Sequence, residues 1–195
     1  MSSRLRKLPL LALVILAAAG LSACGDSHTR VSTGTYAGES GANAPYLNVG
    51  PLLYEVQLSR KLNPFNVEDA SYLQGLTPTQ AALEPGQEWF AVFLQVYNIH
   101  NQSEPAADAI TISDTQNNVY SPITPEATNP YAYHAQLVSA KGQLPEPETA
   151  AYYGPTQGVL LLFKIQVVSL DNRPLELKIV NPEDPAESAS AELDV

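Results

Sequence analysis

Trp89-Phe90-Ala91-Val92-Phe93-Leu94-Gln95-Val96-Tyr97-Asn98 decides the fold of this chain. Side chains on a strand point alternately to opposite faces, and here both alternating sets are apolar. The stretch therefore predicts a strand at the centre of its sheet, covered on both faces or nearly so. Glu84-Pro85-Gly86-Gln87-Glu88 ahead of it is a turn signal that delivers the chain into the strand.

Outward from that strand the pattern stays β. Tyr54, Val56 and Leu58 alternate with Glu55 and Gln57, which predicts a half-buried strand with the three apolar residues inward. Asn63 to Gly75 is a polar insertion with two readings: an ordered segment with one helical turn, pinned to the sandwich edge by Tyr72 and Leu73, or a mobile loop. Beyond the central strand, Ala109 to Ser113 turns Ile110 and Ile112 inward. Asp114-Thr115-Gln116-Asn117-Asn118 then forms a hairpin loop into Val119-Tyr120-Ser121-Pro122-Ile123, because Asp and Asn tolerate the left-handed backbone of such turns. Thr124 to Thr156 is proline-rich and mostly irregular, with one short strand at Ala135 to Val138. Val159 to Val168 begins as a buried run and ends alternating, with Lys164 and Gln166 outward. Asp171-Asn172-Arg173-Pro174 turns the chain into Leu175-Glu176-Leu177-Lys178-Ile179, and Ala189 to Val195 makes a last edge strand.

Seven or so short strands with no long helix predict an all-β fold, an antiparallel β-sandwich, with a barrel as the alternative. Only one cysteine is present, so no internal disulfide supports the core. Trp89, Phe90, Phe93 and Phe163 must carry it, at about 1.5 to 3 kcal/mol for each buried side chain.

The run Trp89 to Asn98, the turn and Tyr in Asp114 to Tyr120, and the late strand around Phe163 together resemble a family of bacterial envelope lipoproteins of unknown function. Members carry an immunoglobulin-like sandwich akin to immunoprotective extracellular antigens. The resemblance covers most of the chain from Tyr46 onward and implies an immunoglobulin-like domain over 46–195. It implies no active site. The insertion Asn63 to Gly75 and the proline-rich middle depart from the family pattern.

The N-terminus supplies a compartment. Arg4, Arg6 and Lys7 precede an apolar run from Leu8 to Leu21, interrupted only by Pro9 and Gly20. At roughly 14 residues the run falls short of the ~20 that span a bilayer and reads as a secretory signal. Leu21-Ser22-Ala23-Cys24 resembles the lipobox of bacterial lipoproteins, which implies that Cys24 takes the lipid and becomes the new N-terminus. Residues 1–23 are then the lipoprotein signal peptide and 24–45 a flexible tether rich in Ser, Thr, Gly, Ala and Asn. The expected location is the cell envelope, extracytoplasmic, with the membrane reached through the lipid on Cys24.

Charge and residue types narrow the function. Removing residues 1–23 takes away three of the ten basic residues and none of the twenty acidic ones, leaving a net charge of −13. Such a surface repels nucleic acid and offers no basic stripe for phosphate. His28, His100 and His134 form no His-x-His or His-x-x-x-His pair, so neither a metal site nor any other cofactor is expected. Asp114 to Asn118 holds oxygen ligands suited to calcium, but lacks the spacing of a calcium loop and reads better as a hairpin turn. No Gly-x-Ser-x-Gly marks a nucleophile. The chain is therefore expected to be non-catalytic, acting through an envelope protein partner or adhesion. A glycan-binding module of the cell wall is the first alternative, and a hydrolase with a dispersed site the second. Tyr120, Tyr131, Tyr133, Tyr152 and Tyr153, in or beside the irregular middle, are the candidate contact residues, since exposed rings can stack on sugars or anchor a partner. The competing reading is that these rings plug loops onto the sandwich.

Overall fold

The computed structural model describes residues 28–32 and 46–193. The expected signal peptide, Cys24 and the rest of the expected tether lie outside the described residues. In chain order the elements are β1 (His28–Ser32), β2 (Tyr46–Val49), β3 (Leu52–Leu62), α1 (Val67–Tyr72), α2 (Pro78–Ala81), β4 (Gln87–Asn98), β5 (Glu104–Pro105), β6 (Ile110–Ser113) and β7 (Val119–Tyr120). They continue with β8 (Leu137–Val138), β9 (Gln143–Leu144), α3 (Ala150–Tyr153), β10 (Val159–Gln166), a 3-10 turn (Val167–Leu170), β11 (Leu175–Val180) and β12 (Ser188–Leu193).

These strands build an antiparallel β-sandwich. One sheet runs β1-β12-β11-β6-β7, the other β10-β4-β3-β2, and β9 adds to β4 beyond the end of β10. Two separate sheets replace the closed barrel held as the alternative. β5 and β8 form a small ribbon of their own.

β4 sits where its sequence requires. Phe90, Val92, Leu94 and Val96 point between the sheets, into a core shared with Ile110, Ile112, Phe163, Leu177 and Ile179. Trp89, Ala91 and Phe93 point the other way and are also buried, at 3%, 0% and 0% exposure. Their cover is Leu62, Tyr72, Leu160 and Leu162, with Leu58, Leu73, Leu76, Ile123 and Tyr131 around them.

That second cluster needs a change of parity in β3. Val56 pairs with Leu94 but Leu58 pairs with Phe93, so one extra residue, Gln57, bulges out of the ladder. A bulge inverts the alternation beyond it. Tyr54 and Val56 face the inter-sheet core as expected, whereas Leu58 joins Leu62 on the opposite face, which corrects the reading of all three as inward.

The insertion between β3 and β4 supplies much of the cover. Asn66 caps α1, its Oδ1 accepting from Glu68 N at 2.9 Å and Asp69 N at 3.3 Å, as capping side chains do for orphan N–H groups. Asp69 accepts from Asn63 N at 2.7 Å and from Arg60 Nη2 at 2.6 Å. Burial pushes the Asp69 carboxyl up, but the Arg60 and Asn63 hydrogen bonds and the Arg60 charge hold it below its ordinary value. Tyr72, 1% exposed, meets Phe93 and Tyr131 edge-on with centroids 5.0 and 4.9 Å apart. The insertion is thus ordered, and it is pinned on the sheet face rather than the sandwich edge.

Both ends of the domain differ from the sequence expectation. His28–Ser32, inside the stretch read as tether, forms β1 and pairs in parallel with Ser188–Glu192. β12 therefore lies between β1 and β11 and is not the edge strand expected. In the proline-rich middle, β8 overlaps the expected strand at Ala135 to Val138, while β9 and α3 have no apolar period to announce them.

Replacing Tyr72 by Ala is expected to destabilise the chain by about 3 to 5 kcal/mol, the usual range for a deleted buried aromatic. Urea unfolding measures it; a loss under about 0.5 kcal/mol would mean that the insertion does not cover the sheet.

Candidate functional site

The cover stops half-way along the second sheet. Beyond Phe93 the outward positions of β4 are Gln95 and Tyr97, and the register sets their neighbours. Tyr46, Glu55 and Gln95 form one cross-strand row on β2, β3 and β4. Asn48, Leu53, Tyr97 and Gln143 form the next, carried on to β9. Leu47, Tyr54, Leu94, Val96 and Leu144, between them in sequence, are all buried in the inter-sheet core, so alternation fixes the two rows on the outer face.

The rows are tied together. The Tyr97 hydroxyl donates between Gln95 Oε1 and Glu55 Oε2, the latter 3.3 Å away. The Tyr46 and Tyr97 rings meet edge-on at 6.1 Å. Glu55 is 6% exposed, and burial pushes its carboxyl above the ordinary value against hydrogen bonds from Gln57 and Tyr97 that pull it down. Burial and then the Glu55 charge push the Tyr97 hydroxyl upward as well, with smaller contributions from Tyr46 and Tyr152.

α3 borders this face. Gly158 N donates to Ala151 O at 3.1 Å, folding the helical turn back to the start of β10. Gly158 is needed there: its φ is +127°, and a Cβ would stand 2.9 Å from Leu94 O. Tyr152 and Tyr153 leave α3 as an edge-on pair with centroids 4.9 Å apart, and Tyr153 is exposed.

The five tyrosines singled out in the sequence do not share one surface. Tyr133 is buried and donates to Ala107 O at 2.5 Å. Tyr131 packs against Tyr72, and Tyr120, half-buried, shares a 2.7 Å hydrogen bond with Ser169 Oγ. These three hold loops on the sandwich, while Tyr153 is exposed and Tyr152 is half-buried beside it. Tyr46, Glu55, Gln95 and Tyr97 escaped the sequence reading because only strand register brings them together. Their signal was the polar and aromatic residues at alternate positions of otherwise apolar strands.

Two other places hold polar groups. Asp114 accepts from Gln116 N, Asn118 N, Asn118 Nδ2 and Asn172 Nδ2 at 2.8 to 3.1 Å. Desolvation opposes its charge, yet the hydrogen bonds from Asn118, Ser169 and Asn172 hold the carboxyl well below the usual range. The turn consumes the oxygens that calcium would need. Among the described residues no group of three His, Cys, Asp or Glu could hold a metal. A cleft of about 230 Å³ opens beside β10, lined by Asp108, Ile110, Ile123, Tyr133, His134 and Leu161 among others. Its His134 Nε2 is buried without a partner, and the hydroxyls in the lining are those of Thr124 and of Tyr133, the latter donated to Ala107 O.

No family model and no curated protein matches this chain. Among solved structures it is similar to an uncharacterized β-sandwich protein from Clostridium difficile, at 11% identity over 86% of this chain and 95% of that one, with a TM-score of 0.47. It is also similar to the yjhA protein from Bacillus subtilis, at 10% identity over 76% of this chain and 96% of that one, again with a TM-score of 0.47. The strand pairings above establish the sandwich. The resemblance to envelope lipoproteins rests on the sequence motifs alone.

Glu55 and Asp114 should respond oppositely to pH. Raised in the folded state, Glu55 favours folding at pH below its unfolded value near 4 and loses that contribution as pH rises through the folded value. Glu55→Gln should therefore unfold at an equal or higher temperature than the parent at pH 7, with the gap narrowing toward pH 4. Depressed in the folded state, Asp114 contributes fully above pH ~4 and loses that contribution as pH falls. Asp114→Ala should lower stability at pH 7 by about 1 to 3 kcal/mol and flatten the acid limb of the stability curve. Thermal melts from pH 3 to 8 decide both; a destabilised Glu55→Gln, or an Asp114→Ala gap that stays constant with pH, contradicts them.

Proposed function

We propose that this chain is a lipid-anchored, extracytoplasmic β-sandwich of the cell envelope that acts without catalysis, by binding a protein partner. The anchor is the lipid on Cys24, in a Leu21-Ser22-Ala23-Cys24 motif placed after a signal of the right charge and length. Two or more acyl chains at that cysteine hold a domain stably, where one would be marginal.

The observation that carries the binding role is the polarity of the domain. β1 begins at His28, opposite Ser188, at the end of the sandwich where Gly50 N meets Glu187 Oε1 at 2.9 Å. Only Gly25, Asp26 and Ser27 separate His28 from Cys24, a reach of at most about 14 Å at ~3.5 Å per residue. That end of the domain faces the membrane in this reading, and the opposite end faces outward. β4, at 12 residues and ~3.3 Å each, puts roughly 40 Å between them.

At the outward end stand Phe65 and Val67, 94% and 90% exposed. Their turn is held by its own hydrogen bonds: Phe65 N donates to Asn63 Oδ1 at 3.0 Å and Asn66 N to Asn63 O at 2.9 Å. Asp69 and Arg60 fix the base. An apolar pair displayed on a rigid turn loses little entropy on docking and suits the hydrophobic centre of a protein interface.

Mass spectrometry of the mature N-terminus from membrane fractions should find acylated Cys24, and Cys24→Ala should leave the membrane. An unmodified, soluble native chain would overturn the anchor. Phe65→Ser with Val67→Ser should fold with unchanged stability and weaken crosslinking to envelope proteins on intact cells at least tenfold. Unchanged crosslinking would overturn the binding role.

A further inference from the structure

We infer that the open half of the second sheet, bounded by Tyr46, Tyr97, Tyr152 and Tyr153, is a binding face for a neutral, polyhydroxylated sugar chain. This site lies apart from the Phe65 turn and goes beyond the protein-partner reading.

The face is built of half-buried polar and aromatic side chains around an exposed Asn48. β2, β3, β4 and β9 lie side by side at ~4.8 Å spacing, giving a platform roughly 14 Å wide. Across it stand Asn48, Gln95 and Gln143 with Gln57 near the bulge, and Leu53 is the one aliphatic side chain in its two rows. Each amide offers donors and acceptors together, the same pairing that a sugar hydroxyl presents in return. The tyrosine rings supply flat apolar surface with a polar edge, suited to the C–H face of a sugar ring.

Other occupants fit less well. A protein interface of ordinary affinity has an apolar, desolvated centre, and the centre here is Glu55 and Gln95. An anionic polymer meets a carboxylate and no cation among these rows, on a domain of net charge −13 after removal of residues 1–23. A proline-rich peptide needs a groove lined with aromatic rings, and these rings border a sheet face whose middle is amide and carboxylate.

Preorganisation supports the assignment. Glu55 is held by Tyr97 and Gln57, uncharged partners, in a position that disfavours its charge. Perturbed groups of this kind gather at binding sites.

The test uses the full-length mature chain in detergent with two soluble probes, the neutral hexasaccharides of N-acetylglucosamine and of glucose, followed by calorimetric titration. Binding of either probe is expected, weakened tenfold or more in Gln95→Ala with Tyr97→Ala and in Tyr152→Ala with Tyr153→Ala. The second pair is a safeguard, because α3 lies outside the core strands. Phe65→Ser should bind both probes like the parent, so failure here and failure of the protein-partner reading are separate results. The proposal is overturned if neither hexasaccharide binds, if both double variants bind unchanged, or if a proline-rich peptide binds and these variants abolish that instead.

Discussion

Everything in this molecule answers to a strand that is apolar on both faces. β4 cannot be half-exposed without leaving either Phe90, Val92 and Leu94 or Trp89, Ala91 and Phe93 in water. The first set is covered by the opposite sheet, which any sandwich supplies. The second needs a cover that a two-layer architecture does not contain. The insertion after β3 provides it, and the Gln57 bulge turns Leu58 and Leu62 to the same side. Features that look like departures from a plain sandwich are thus consequences of one ten-residue run.

The cover has a boundary. On one side Tyr72 closes over Phe93; on the other, Gln95 and Tyr97 take the outward positions that Ala91 and Phe93 held. The same sheet face passes from core to surface within one strand. A buried half fixes the backbone of the open half, so side chains such as Glu55 and Tyr97 are placed by rigid strands rather than by loops. The insertion also carries the Phe65 turn outward, so a single segment both completes the core and displays an apolar pair.

Much of this fold was legible in the sequence. The two-sided run of β4, the alternation of β11 and the Asp-Asn hairpin each follow from periodicity or turn chemistry, and Tyr72 was visible as the pin of the insertion. What periodicity does not encode is register. The bulge inverted Leu58 because one extra residue is silent in the alternation of a single strand. β1 was hidden because His28-Thr29-Arg30-Val31-Ser32 has no apolar period and owes its place to pairing with β12. The face at Glu55 and Tyr97 assembles from three strands distant in sequence, whereas Tyr131 and Tyr133, close in sequence and conspicuous, are spent on packing. Clustering along the chain was the wrong guide to clustering in space.

Native-state amide hydrogen exchange tests the central claim most directly, since it reports whether the insertion is part of the core or merely rests on it. If α1 is the cover that β4 requires, the amides of Ala70 and Leu73 will exchange only through the opening that also releases the amides of β4. Rapid exchange at Ala70 and Leu73 while β4 stays protected would contradict the account, because the second face of that strand would then be closed by something else.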